Sequence, residues 1–372
     1  MSRQNKTKKD NFKSRNRFFY CNAVFLVISI FIYICSRLST TLADFFAEYT
    51  GGFIRFLLAT ITSIIPFSLA ESLVFLFLPI SVIVMFFAPD VEEGKHLTRN
   101  TLWLIGVLFL VLSLFLSAFA PCYFRTTVSE EMALDRNDVE TEDVLEMANW
   151  VSLELEELAT KINTDCNGKG LMPYSYSSLV SKLNRTYTTL CDDLEFLGDF
   201  YSRPKVLAIS KLMPYTRISG VYSFFTGESN VSISYPDFMI PFTTAHEMAH
   251  QRGIAREDEA NFIAFLVCLK SNDPFIRYSG LTEILRYLLD SVYITDTELY
   301  QKVYLSTPAI YKKESSNLAD FLQSTSIKVV SGATNSINNA LLQSQGQSEG
   351  SASYGLVTEL AVAYYKGNIK KE

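Results

Sequence analysis

Two of the three histidines in the chain, His246 and His250, lie four residues apart around Glu247 in Thr243-Thr244-Ala245-His246-Glu247-Met248-Ala249-His250-Gln251-Arg252-Gly253. Residues i and i+4 share one helix face about one turn apart. Both imidazoles can therefore hold one zinc ion while Glu247 reaches the water such an ion carries. Glu247 would take that water's proton and pass it to a leaving amine, the part of a general base in hydrolysis. A catalytic zinc needs a third protein ligand from outside that helix. The position six residues after His250 is Arg256, whose guanidinium cannot bind zinc, so Glu257 or, beyond it, Glu259 must serve. Asn261, one helical turn on from Glu257, would support it. Tyr222, Tyr235 and Tyr354 are candidate donors to a developing oxyanion, although each is more commonly a packed aromatic.

Several elements must position these residues. Pro241 suits the first turn of the histidine helix and Gly253 the place just past its end. Residues 205–235 hold three short β-rich runs, 206–209, 221–225 and 231–235, separated by Pro and Gly, so a small sheet precedes that helix. Its strands at 221–225 or 231–235 could hold an extended substrate. Apolar stripes predict helices over 143–162 and 179–197, facing a core. The acids Glu257, Asp258 and Glu259 open a further helix whose apolar run to Leu269 is too short to cross a bilayer; acids at a helix start also complement its dipole, our reading of Asp258 and Glu259. Helical patterns continue over 281–294 and 297–329. Residues 343–353 are low-complexity and read as a loop, and 354–365 as a short closing helix. Residues 121–372 thus form an α+β domain large enough for a buried core.

The first third of the chain has another character. Over the whole chain 48% of residues are hydrophobic and 19% charged, and the mean hydropathy is +0.15, which points to a membrane portion. The total charge of −6 hides an asymmetry: residues 1–17 carry seven Lys/Arg against Asp10, a net +6, leaving −12 elsewhere. That acidic remainder argues against nucleic acid as a partner. Residues 18–35, 69–88 and 102–120 read as three spans, and 53–65, which contains Arg55 and ends before Pro66, as an interfacial or partly inserted helix. Glu71 would sit near a span end, in the interface. The basic tail sets residues 1–17 in the cytoplasm and exports everything after Ala120, giving a multi-pass cell-membrane protein.

Six cysteines show no CxxC spacing, and Cys166 and Cys191 could pair only in an oxidising compartment. Asn184-Arg185-Thr186 and Asn230-Val231-Ser232 fit the glycosylation pattern, too common to decide anything.

The string Glu257-Asp258-Glu259-Ala260-Asn261 resembles the Glu-x-x-Ala-Asp/Asn segment of gluzincin peptidases, which implies Glu257 as the ligand. Taken with Pro66-Phe67-Ser68, the segment Phe225-Thr226-Gly227-Glu228-Ser229-Asn230-Val231 and the histidine motif, the chain resembles the bacterial membrane family catalogued as domain of unknown function 3810 (DUF3810). That family is itself zincin-like by its motif and has no established substrate. The expectation is a mainly α membrane protein with a zincin-like, gluzincin-type domain, binding one zinc ion and cutting proteins or peptides at the bilayer surface. A zinc-stabilised scaffold or sensor domain, or a zinc hydrolase of a cell-wall amide, are the alternatives.

Overall fold

The computed structural model describes residues 2–87, 96–327 and 354–371, with Gly332 and Ser336. The loop expected at 343–353 lies outside the described residues. The fold is mainly helical with one three-stranded sheet.

The first third holds helices α1 (Ser2–Leu38), α2 (Thr40–Phe45), α3 (Gly52–Ser63), α4 (Leu69–Phe87) and α5 (His96–Leu114). Helix α5 continues through a π-helical turn, Phe115–Phe119, into a 3-10 turn, Ala120–Tyr123. Two segments, Arg17–Leu38 and Thr101–Tyr123, are long and apolar enough to cross a membrane. They lie side by side and run in the same direction, because Phe18 stacks on Trp103 (6.5 Å) near one end and Tyr33 meets Phe124 edge-on (5.7 Å) at the other. Helix α3 is tied down at both ends. Near its start, Arg55 donates to the carbonyls of Ala118 (2.6 Å) and Ala47 (2.8 Å). At its end, Arg203 donates to Ser63 O (2.9 Å) and Lys205 to Thr62 O (3.0 Å) and Ile65 O, which places cations at the negative end of the helix dipole. The start of α4 receives the converse. The buried Glu228 carboxylate accepts from Leu69 N (3.1 Å) and Ala70 N (2.8 Å), and Glu71 accepts from Ala208 N and Ile209 N.

The remainder folds around helices α6 (Val128–Glu131), α7 (Thr141–Ala159), α8 (Tyr176–Asp193), α9 (Met239–Gln251), α10 (Glu257–Lys270), α11 (Pro274–Thr295), α12 (Thr297–Ser306), α13 (Ala309–Ser324) and α14 (Tyr354–Tyr364). The pattern over 297–329 is thus two helices, interrupted where Thr307-Pro308 breaks the hydrogen-bond ladder. Helix α10 is central: Phe262 to Cys268 are each at most 1% exposed, so it is apolar on every side because every side is packed. The sheet has the order β1 (Lys205–Val206), β3 (Glu228–Val231), β2 (Gly220–Ser223), with β3 parallel to β1 and antiparallel to β2. The strand expected at 231–235 therefore lies three residues earlier. Glu228, Ser229 and Asn230 are polar yet buried, because the strand is central and Ser229 Oγ donates to Glu247 O (2.8 Å). Both sequon asparagines, Asn184 and Asn230, are buried, and Cys166 and Cys191 are free thiols.

Candidate metal centre

Pro241 falls in the first turn of α9, where its missing N–H removes no helical bond. At the other end Gly253 adopts φ +96°. The N–H groups of Gly253 and Ile254 close on His250 O (3.0 Å) and Ala249 O (3.1 Å), the paired bonds of a glycine-terminated helix. This reversal folds α10 back onto α9 and turns Glu257 toward the histidines.

The Glu257 carboxylate lies 3.3 Å from His246 Nε2 and 3.6 Å from His250 Nε2. All three donor atoms lie within 4.8 Å of one another. Donors about 2.0–2.2 Å from a tetrahedral zinc stand roughly 3.3–3.5 Å apart, so these residues fit one ion. His250 Nδ1 is 2.6 Å from Ile254 O. A carbonyl can only accept, so Nδ1 carries a proton and Nε2 faces Glu257 with the ring held in place.

The charges are arranged for a cation. Burial disfavours the His250 imidazolium, yet the facing Glu257 carboxylate outweighs it and lifts the group to about 9. Burial also works to raise Glu257, but His250 and His246 hold it well below the usual carboxylate range. The carboxylate thus demands a positive partner, which a proton or a metal ion satisfies. Burial raises Glu247 to about 7 against the opposing pull of the two imidazoles, where a carboxylate can both take and return a proton.

Strand β2 covers Glu247. A Cβ on Gly220 would stand 2.5 Å from Glu247 Oε1, a close approach that only glycine allows. The bond from Ser232 N to Ser219 O (2.8 Å) sets the phase of the ladder. Residues 219, 221 and 223 bond toward β3, and Gly220 and Tyr222 point their amides to the opposite edge. There the Tyr222 backbone works, with the two imidazoles, against the burial that raises Glu247. Among the described residues no strand pairs with that edge of β2, which passes Glu247 at Gly220, whereas β3, which holds Val231, is interior to the sheet.

The other residues singled out by sequence have different places. Glu259 faces away: it is 3% exposed, accepts from Val128 N (3.0 Å) and pairs with Arg256 (3.5 Å). Asp258, also buried, pairs with Arg136 (3.6 Å) rather than serving only the helix dipole. Asn261 lies one turn beyond Glu257 without a hydrogen bond to it among the described residues. The Tyr222 ring packs on Phe119 (5.2 Å), with its hydroxyl buried and unpartnered. Tyr235 packs on Phe321 of α13 (5.2 Å), and no hydrogen bond or ring contact joins it to the four site residues among those described. The side chain of Tyr354 lies outside the described residues.

Two neighbours escaped the sequence reading. Phe119 meets the His250 ring edge-on at 6.3 Å. Arg55 lies directly beneath the turn, since a Cβ on Gly253 would stand 2.5 Å from its guanidinium. A single arginine in an otherwise apolar helix was the available signal for it. No curated protein and no solved structure matches the chain. Residues 48–362, which include α3 to α13 and most of α14, match the family described as protein of unknown function (DUF3810), and with so much of it covered the chain belongs to that family.

Proposed function

We propose that the chain is a membrane-anchored, zinc-dependent peptidase with His246, His250 and Glu257 as metal ligands and Glu247 as general base. The spacing of the three donors, close to that of tetrahedral zinc ligands, carries this reading. Zinc bound there would acidify a water molecule and polarise the scissile carbonyl. Glu247 takes the proton of the attacking water and delivers it to the leaving amine. Ile254 O holds the His250 ring in register. The free edge of β2 pairs with an extended substrate backbone, and the buried Tyr222 hydroxyl is the candidate donor to the developing oxyanion. Zinc measured in the purified protein tests the reading. About one ion per chain is expected, absent after His246→Ala with His250→Ala; no stoichiometric zinc in the intact protein overturns it.

We read residues 18–35 of α1, α4 and residues 101–123 as three spans, with residues 1–17 cytoplasmic and the domain after Tyr123 exported. Neighbouring spans that run in the same direction need a return crossing between them, which α4 supplies as it leads away from Glu228 and Glu71. The contacts at both ends of α3 support an interfacial helix rather than a fourth span. Reporter fusions after residue 125 test this topology, and a cytoplasmic signal there sinks the exported assignment.

One observation favours a zinc-held scaffold that does not cut. Glu247 is 4% exposed and lies under β2, where Gly220 closes on its carboxylate. Glu247→Gln separates the two readings: zinc is retained in both, and Glu247-dependent cleavage exists to be lost only in a peptidase.

A further inference from the structure

The direction of β2 bears on which substrates reach the site. Tyr222 packs on Phe119 at 5.2 Å and Phe224 on Phe115 at 5.1 Å. From Tyr222, in β2, to Phe224, the first residue of the hairpin turn, the chain advances at most about 6.6 Å, close to the roughly 6 Å of four residues of helix. The strand therefore runs alongside the end of the apolar segment Thr101–Tyr123, opposite to it in direction, from Gly220 beside Glu247 toward the segment's interior. The hairpin tip reaches α3. Gly227, at φ +68°, rests against α3, where a Cβ would stand 2.5 Å from Leu58 Cβ. At the other end of this contact, Phe119 meets the His250 ring and Tyr123 O accepts from Arg256 (3.1 Å). The metal centre thus sits against the last turn of the segment, at the depth where aromatic residues gather at a bilayer surface.

We infer that the substrate is a polypeptide anchored in the same bilayer and cut within about four residues of its emergence. This rests on the membrane peptidase reading above. A chain paired with the free edge of β2 lies along the strand, so one of its ends points into the membrane. The scissile bond sits beside Glu247, and the stretch between that bond and the bilayer is short because Phe119 is only four residues from the end of the segment. A soluble peptide can occupy the same edge only if its flank tolerates the apolar wall of Phe115, Phe119 and Phe224.

The test uses the full chain, zinc-loaded and reconstituted in lipid vesicles. One substrate is a transmembrane helix carrying a 20-residue stalk of randomised sequence, and the other is the same stalk without the helix. Products are mapped by mass spectrometry, with the Glu247→Gln protein as the blank. The expected result is cuts concentrated in the four stalk residues nearest the helix, with the free stalk cut at least 10-fold more slowly. Cuts spread evenly along the anchored stalk overturn the inference while leaving the peptidase reading intact, because co-localisation alone then explains any rate gain. Equal cutting of the free stalk overturns it in the same way. No Glu247-dependent cutting of either substrate overturns both readings.

Discussion

The two faces of α9 are held by opposite means. On the inner face Ala245, Met248 and Ala249 are completely buried in the main hydrophobic core. Tyr187 Oη donates to Ala245 O (2.6 Å), and the buried Arg252 guanidinium lies between the rings of Tyr187 (4.0 Å) and Phe200 (4.9 Å). On the outer face the apolar cluster is small, namely Ala47, Phe119, Cys122, Tyr123 and Ala255. Polar bonds run behind that cluster, from Arg55 beneath the Gly253 turn to the carbonyls of Ala47 and Ala118, and tie α3 to the apolar segment rather than to α9 itself. The difference teaches that the spacing of the histidines and the placement of the site against the apolar helices depend on separate sets of contacts. Each set can be disturbed alone.

The largest effect should come from the inner face. Met248→Ala removes a fully buried side chain and should cost about 2–5 kcal/mol, read from denaturant unfolding in detergent. A loss below about 1 kcal/mol would break the comparison, because the core would then not be what holds the helix.

Glu257 and Glu259 carry the contrast within one helical turn. Glu257→Ala should weaken zinc binding about 100-fold or more, judged against the 10–100-fold usual for groups one step further from the metal, with the fold intact by circular dichroism. Glu259→Ala should leave zinc affinity within about threefold. It should cost about 1–3 kcal/mol of stability by stranding the buried Val128 N–H. Chelator competition and unfolding on both variants check the pair, and a reversed pattern would make Glu259 the ligand.

The same two acids mark where the sequence stops being legible. His246, His250, Pro241 and Gly253 were readable because helical spacing and end signals are local. Glu257 and Glu259 both open α10, and the two-residue step between them is about 200° of rotation, so they face opposite ways. Deciding which faces the histidines requires knowing how the Gly253 turn sets α10 on α9; only the likeness to the gluzincin segment favoured Glu257. The sheet was misjudged at Glu228–Val231 for a related reason. Its polar residues do not alternate like those of a half-exposed strand, and what buries them is contact with α9 and α4, 18 and about 160 residues away in sequence. The docking of α3 through Arg55, Lys205 and Arg203 is equally non-local.

On the outer face, Arg55→Met keeps much of the side-chain volume but leaves the Ala47 and Ala118 carbonyls without their donor. We expect a cost of about 1–3 kcal/mol, with bound zinc retained at full stoichiometry. Arg55→Lys should not restore stability, since one ammonium cannot reproduce the guanidinium fork that reaches both carbonyls. Loss of zinc together with stability would show that the two faces are not independent.

The smallest structural change sharpens the comparison furthest. Gly220 does not have a positive φ, so Gly220→Ala brings no backbone strain, and pressing its methyl against the buried Glu247 side chain should cost about 1–3 kcal/mol. The three atoms nearest its added methyl all belong to Glu247, with Oε1 at 2.5 Å and Cγ at 2.6 Å, so either the carboxylate or the strand must shift by several tenths of an ångström. Neither movement touches His246, His250 or Glu257, and zinc content should be unchanged. Cleavage should fall about 10-fold or more, because a base displaced by that much loses its alignment with the attacking water. Cleavage at the parent rate would mean that the contact between β2 and Glu247 is incidental, and that the free edge beside it is not where substrate lies.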